Sequence, residues 1–154
     1  SDFTASGTTR TGSNTGAGDL IEYRTLTNTS NYTITIQLSS INTAAAGLYL
    51  IESSSGKRIV YRQFGTTLRR DSYTSQYGTE SEVNDATTSA LWLRVRDNGT
   101  NRYFEYSSDG SSWTTQVTES RTNFITANQV GWGTFQGAPV TARTATLNLW
   151  RETY

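Results

Sequence analysis

The tightest constraint on this chain is a run in which apolar residues recur at every second position. In Tyr32-Thr-Ile-Thr-Ile-Gln-Leu38 the apolar set is Tyr32, Ile34, Ile36 and Leu38, with Thr33, Thr35 and Gln37 between them. A period of two sends alternate side chains to opposite faces of a pleated strand, so one face is buried and the other meets water. The pattern returns twice. Leu91, Leu93 and Val95 oppose Trp92, Arg94 and Arg96; Ala145, Leu147 and Leu149 oppose Thr146, Asn148 and Trp150. Further strands are expected over 20–26, 47–52, 58–64, 102–107, 114–117 and 129–135. The best helical candidate, 42–46, is too short to be one.

Composition agrees. The 154 residues include 28 Thr and 18 Ser, and 12% are aromatic, a balance that suits half-buried pleated surfaces. Ser53-Ser-Ser-Gly56, Asp97-Asn-Gly99 and Ser108-Asp-Gly110 stand between strand signals, each with a residue tolerant of positive φ. About ten short strands joined by such turns predict an all-β fold: an antiparallel two-sheet β-sandwich, or jelly roll, in one domain. Residues 1–19 read as an extended N-terminal arm or edge strand, and 20–154 as the sandwich. Residues 65–90 lack a strong strand signal and read either as a binding loop or as a weak strand around 73–78.

What is missing excludes much. The chain has no His, Cys or Met. That removes disulfides, Cys- or His-ligated metals and any His-based catalytic triad. Thirteen basic side chains balance thirteen acidic ones, which argues against nucleic acid as the partner. No apolar run approaches the ~18 residues of a membrane span, so no membrane insertion is expected. Twelve of the thirteen cations are Arg, with Lys57 the exception. Arg favours fixed bidentate contacts over solvated point charge.

Those arginines fall in phase with aromatics. Trp92, Arg94 and Arg96 share one strand face. If 102–107 pairs with that strand through the 97–101 turn, Tyr103 and Glu105 join the same face. Tyr49 and Tyr61 are further candidates, and Trp132, between Gly131 and Gly133, would let a ligand or backbone approach closely. Aromatic faces beside planar hydrogen-bonding groups are what a carbohydrate site needs. The expected ligand-binding set is therefore Trp92, Arg94, Arg96, Tyr103, Glu105, Tyr49 and Trp132; the competing reading is that these residues only cover sheet surface. Phe104, Tyr106 and Trp113 read as packing residues, and Trp150 as a subunit contact.

The strings Ala46-Gly-Leu-Tyr-Leu-Ile-Glu-Ser53, Leu91-Trp-Leu-Arg-Val-Arg-Asp-Asn-Gly-Thr-Asn-Arg102, Tyr106-Ser-Ser-Asp-Gly-Ser-Ser-Trp113 and Phe124-Ile-Thr-Ala-Asn-Gln-Val-Gly-Trp132 resemble the concanavalin A-like lectin/glucanase superfamily. More narrowly, they are similar to jelly-roll domains of tailed-bacteriophage tail-fibre and structural proteins. The resemblance covers roughly residues 20–152. It implies a lectin-like adhesion module on a virion surface or outside the cell, with a glycan or polysaccharide as partner and other virion proteins or a second copy as further partners. Catalytic members of the superfamily carry a Glu-x-Asp-x-x-Glu strand motif, which this chain lacks; Glu22, Glu52 and Glu105 are isolated. A non-catalytic role is expected, with a purely structural domain and a divergent glycoside hydrolase, or its binding module, as alternatives. The resemblance brings no cofactor. A legume-type metal site would need a His, so the remaining metal expectation is a structural calcium with its ligands unassigned; Glu82, Asn84 and Asp85 stand near calcium spacing but lack the continuation of an EF-hand loop.

Overall fold

The computed structural model describes residues 3–6, 9–14, 20–42, 45–76, 78, 80–135 and 143–154. The strands are β1 Phe3–Ser6, β2 Thr9–Asn14, β3 Leu20–Thr25, β4 Tyr32–Asn42, β5 Ala45–Ile51, β6 Arg58–Phe64, β7 Thr67–Tyr73, β8 Glu80–Thr87, β9 Trp92–Asp97, β10 Asn101–Ser107, β11 Thr114–Ser120, β12 Gln129–Phe135 and β13 Arg143–Thr153. There is no helix among the described residues. A seven-stranded sheet runs β1-β2-β13-β4-β9-β10-β11, and a six-stranded sheet runs β3-β12-β5-β6-β7-β8. The pairings in both sheets are antiparallel. The result is a two-sheet β-sandwich.

The period-two runs explain the layering. Ile34, Ile36 and Leu38 of β4, Leu93 and Val95 of β9, and Ala145 and Leu147 of β13 face inward. They meet Leu48 and Leu50 of β5, Ile59 and Tyr61 of β6, and Val130 and Trp132 of β12 in one buried cluster. Burying a Leu or Ile side chain contributes about 1.5–3 kcal/mol, so this shared layer is the principal attraction between the sheets. The hairpin turns have the expected chemistry. Gly56, Gly99 and Gly110 all take positive φ, and Asp97 and Asp109 accept hydrogen bonds from amides two and three residues on.

One part of the molecule differs from the sequence reading, and the edge position read for the N-terminal stretch takes a definite form. The stretch 65–90 contains two strands, β7 and β8, rather than a loop or one weak strand at 73–78. The N-terminal stretch supplies a hairpin, β1 and β2, that extends the edge of the seven-stranded sheet beside β13.

The interior between the sheets also holds charge. Arg70 of β7 and Arg102 of β10 are both fully buried, and both bind Glu119 of β11. Arg102 donates to Glu119 Oε1 from Nε at 2.9 Å and from Nη2 at 2.7 Å, and its Nη2 also reaches the Asn123 carbonyl at 2.9 Å. Both guanidinia lie over the Phe104 ring, at 5.5 and 5.8 Å from its centroid. One carboxylate thus ties the two layers together. Nearby, burial pushes the Tyr32 phenol up to about 12, with the Arg102 cation partly opposing the rise.

Candidate functional site

The strip expected from sequence forms on the outer face of the seven-stranded sheet. The β9–β10 register sets Tyr103 opposite Arg96, Glu105 opposite Arg94 and Ser107 opposite Trp92. Glu105 is nearly buried and accepts from Arg94 Nε at 2.6 Å, Arg96 Nη2 at 3.2 Å and the Thr115 hydroxyl at 3.3 Å. Burial alone would raise its pKa, but the hydrogen bonds from Arg94 and Arg96 outweigh that and hold it below the usual glutamate range.

The aromatic rings of this strip are already in use. The Arg96 guanidinium lies 3.9 Å from the Tyr103 ring centroid, and that of Arg94 lies 4.0 Å from the centroid of Trp113. The 108–110 turn folds over Trp92 so closely that a Cβ on Gly110 would sit 2.8 Å from the indole. Each ring therefore has a face covered by its own chain. Trp113, read from sequence as a packing residue, lies on this outer surface against the Arg94 guanidinium.

Tyr49 and Trp132 lie elsewhere, which corrects the expectation of one shared face. Tyr49 stands on the outer face of the six-stranded sheet. Tyr61 pairs with Leu48 and so points inward, opposite to Tyr49. Trp132 is also internal; its indole N–H donates to Glu22 at 3.2 Å. Trp150, expected at a subunit contact, packs against the core and donates to Glu152 at 2.7 Å. Both tryptophans border a space of about 270 Å³ where β3 passes the seven-stranded sheet.

The outer face of the six-stranded sheet carries a second apolar cluster, Tyr49, Ile51, Val60 and Tyr73 with Ile21 against it. Arg62 and Asp71 are buried beside it and joined at 2.6 Å, and Arg62 also donates to the Tyr73 hydroxyl at 3.3 Å. At the end of this face is a cleft of about 410 Å³. Ile21 and Tyr23 of β3 wall one side, Gln129 and Ile51 sit toward the middle, and Arg58, Gln76 and the turn at 53–56 complete the lining. Tyr23 is 57% exposed.

The local sequence explains this cleft. On β12 the outward positions 131 and 133 are glycine, so no side chain rises between β3 and β5. A Cβ at Gly131 would meet the Tyr23 Cβ at 2.8 Å and the Glu22 carbonyl at 2.5 Å. The flanking glycines that marked Trp132 in the sequence serve the opposite face of the strand from Trp132 itself. Tyr23, Arg58, Gln76 and Gln129 were missed because they come from four separate segments; only the Gly-x-Gly spacing pointed to the place.

The lining suits binding better than hydrolysis. A phenol ring, a guanidinium and two amides offer an apolar face and planar hydrogen-bonding groups. No carboxylate is present among the described residues that line the cleft. Each of the isolated glutamates is held by its own partners, Glu22 by the Trp132 indole N–H. Glu105 lies on the other sheet, and Glu52 accepts from the Ser55 hydroxyl and the Thr126 amide. As for calcium, both oxygens of Asp85 are taken by Arg69, at 2.7 and 3.1 Å, so Asp85 does not fit a cation ligand in this arrangement. The Glu82 side chain lies outside what is described. No group of three or more acidic side chains able to hold a metal occurs among the described residues.

Comparison with known proteins gives the fold a context. A family model described as the β-xylosidase C-terminal concanavalin A-like domain matches residues 27–144. A legume lectin-like domain from Entamoeba histolytica superposes with a TM-score of 0.64 at 7% identity, covering 98% of this chain and 86% of that one. A Saccharomyces cerevisiae protein described as functionally unknown gives 0.63 at 15% identity, covering 98% and 90%. The GH43 protein BlXynB of Bacillus licheniformis gives 0.58 at 14% identity, covering 87% of this chain and 32% of that one, so the chain spans about a third of that enzyme's length. At these identities the structures speak for the fold alone. No curated protein matches the chain.

Proposed function

The chain belongs to the family of β-xylosidase C-terminal concanavalin A-like domains, and from that premise we propose that it is a non-catalytic carbohydrate-binding module that seats a glycan in the cleft beside β12. The observation that carries this reading is the cleft lining. An exposed Tyr23 ring lines one side of a cleft whose lining also includes Arg58, Gln76 and Gln129, with no carboxylate among the described lining residues. Hydrolysis of a glycosidic bond calls for two carboxylates roughly 5–9.5 Å apart across the bond, whereas binding needs stacking area and hydrogen bonds. The lectin-like neighbour and the family's tie to β-xylosidases both support a carbohydrate ligand and a place beside a glycoside hydrolase. Neither adds anything to the phage context suggested by the sequence strings, and the proposal does not use it.

Titration calorimetry with xylo-oligosaccharides tests it. Tyr23→Ala and Gln129→Ala should each weaken binding about tenfold, as the loss of one stacking or polar anchor usually does, with no sugar released during the titration. Full affinity in both variants would remove the cleft from the reading. Release of xylose would overturn the non-catalytic role.

A further inference from the structure

The outer face of the seven-stranded sheet presents a second, chemically different surface. Arg94 and Arg96 each spend one N–H on Glu105, out of the five that a guanidinium carries. Their side chains are 21% and 38% exposed. Stacking on Trp113 and Tyr103 fixes the plane of each fork, so little rotamer freedom is left to lose when a ligand arrives.

A third cation shares the row. Arg151 of β13 pairs with Thr35, and Thr35 pairs with Arg94. Arg151 is exposed and has no ion-pair partner among the described residues. Two strand spacings separate it from Arg94, about 10 Å, while Arg94 and Arg96 are about 7 Å apart along their strand. Three cations thus face one carboxylate, Glu105. The nearest acid at the Trp92 end, Asp109, is turned into its own loop by the Ser111 and Ser112 amides at 2.8 Å each.

We propose that this face binds carboxylate-bearing polysaccharide, a polyuronate chain laid across Arg151, Arg94 and Arg96. Carboxylate and guanidinium match as planar bidentate partners. The rings beneath are occupied by the guanidinia, so the surface offers charge rather than stacking to a sugar. Nucleic acid is the poorer fit, because three cations on a chain of zero net charge fall short of the 6–10 phosphate contacts of a typical binder. The inference stands independently of the cleft on the other sheet.

Affinity electrophoresis in gels containing polygalacturonate tests it, with fully methyl-esterified polygalacturonate and single-stranded DNA as comparison polymers. The domain should be retarded by the free acid at low salt, and retardation should fade as salt shortens the screening length. Arg94→Gln combined with Arg96→Gln should lower affinity tenfold or more, with circular dichroism unchanged. If that double variant is not folded, Arg151→Gln decides in its place, because Arg151 is exposed and has no ion-pair partner among the described residues; a two- to fivefold loss is expected. The proposal is overturned by an absence of retardation in the unaltered domain, by full affinity in the deciding variant, or by equal retardation in the ester or DNA gel.

Discussion

Glu119 shows how much one side chain can settle. It is the shared acceptor of Arg70 from one sheet and Arg102 from the other, and both guanidinia are out of reach of water. Replacing it by Gln keeps the shape and removes the charge, leaving two buried cations uncompensated. Breaking a buried pair in this way costs about 3–5 kcal/mol. The neighbouring Arg69–Asp85 pair on the solvated side of the same hairpin is 28% and 43% exposed, and a surface pair contributes at most about 1 kcal/mol. Urea denaturation should therefore separate Glu119→Gln sharply from Asp85→Asn; equal midpoints would show that the interior cations find other compensation.

At the level of elements, the same ion cluster explains which strands could be read from sequence. β4, β6, β9 and β12 were legible because most of their inward residues are apolar, Gln63 and Thr134 excepted, and their turns carry Gly or Asn. β7 was not. Its inward side chains are Leu68, Arg70 and Ser72, and polar atoms held by Glu119 and Ser72 stand where a hydrophobic period would be. Its outward Asp71 and Tyr73 are buried as well, so neither face alternates in polarity. The strip on β9 and β10 was legible from phase alone, but not the cover over its rings, which depends on residues brought from Trp113 and the 108–110 turn. Tyr49 was misplaced because phase says which residues share a face of one strand, not which sheet that strand joins. The cleft, assembled across four segments, left only the glycines of β12 as a trace. Gly110 illustrates the turn chemistry. It has φ of 75° and no room for a Cβ beneath Trp92, so Gly110→Ala should cost about 1–3 kcal/mol from strain and overpacking and change Trp92 fluorescence. An unshifted melting temperature would contradict the packing of this turn.

For the whole molecule, the charged groups set an acid limit. Glu52 is held below its ordinary range by the Ser55 hydroxyl and the Thr126 amide, Asp85 by Arg69, and Asp109 by the Ser112 and Ser111 amides and the Ser107 hydroxyl; for Glu105 the two arginines prevail over burial. A carboxylate depressed in the folded state stabilises it fully above the unfolded value, about 4, and that contribution disappears as pH falls through the lower folded value. With no His in the chain, urea midpoints should be level from about pH 6 to 8 and fall below about pH 4. Higher stability at pH 3 than at pH 7 would reverse the sign of the argument.

The position of β13 carries a consequence for how the chain is made. In the seven-stranded sheet this last described strand lies between β2 and β4, and it pairs with both. During synthesis, which runs at about 5–20 residues per second, two early strands wait with open edges until the residues of β13 leave the ribosome. The sheet closes last at its middle rather than at a rim. Folding should accordingly be slow for a domain of this size, since its pairings are distant in sequence. A chain ending at residue 142 should expose both edges and aggregate by edge pairing, and adding a 143–154 peptide in excess should restore a folded product detectable by size-exclusion chromatography.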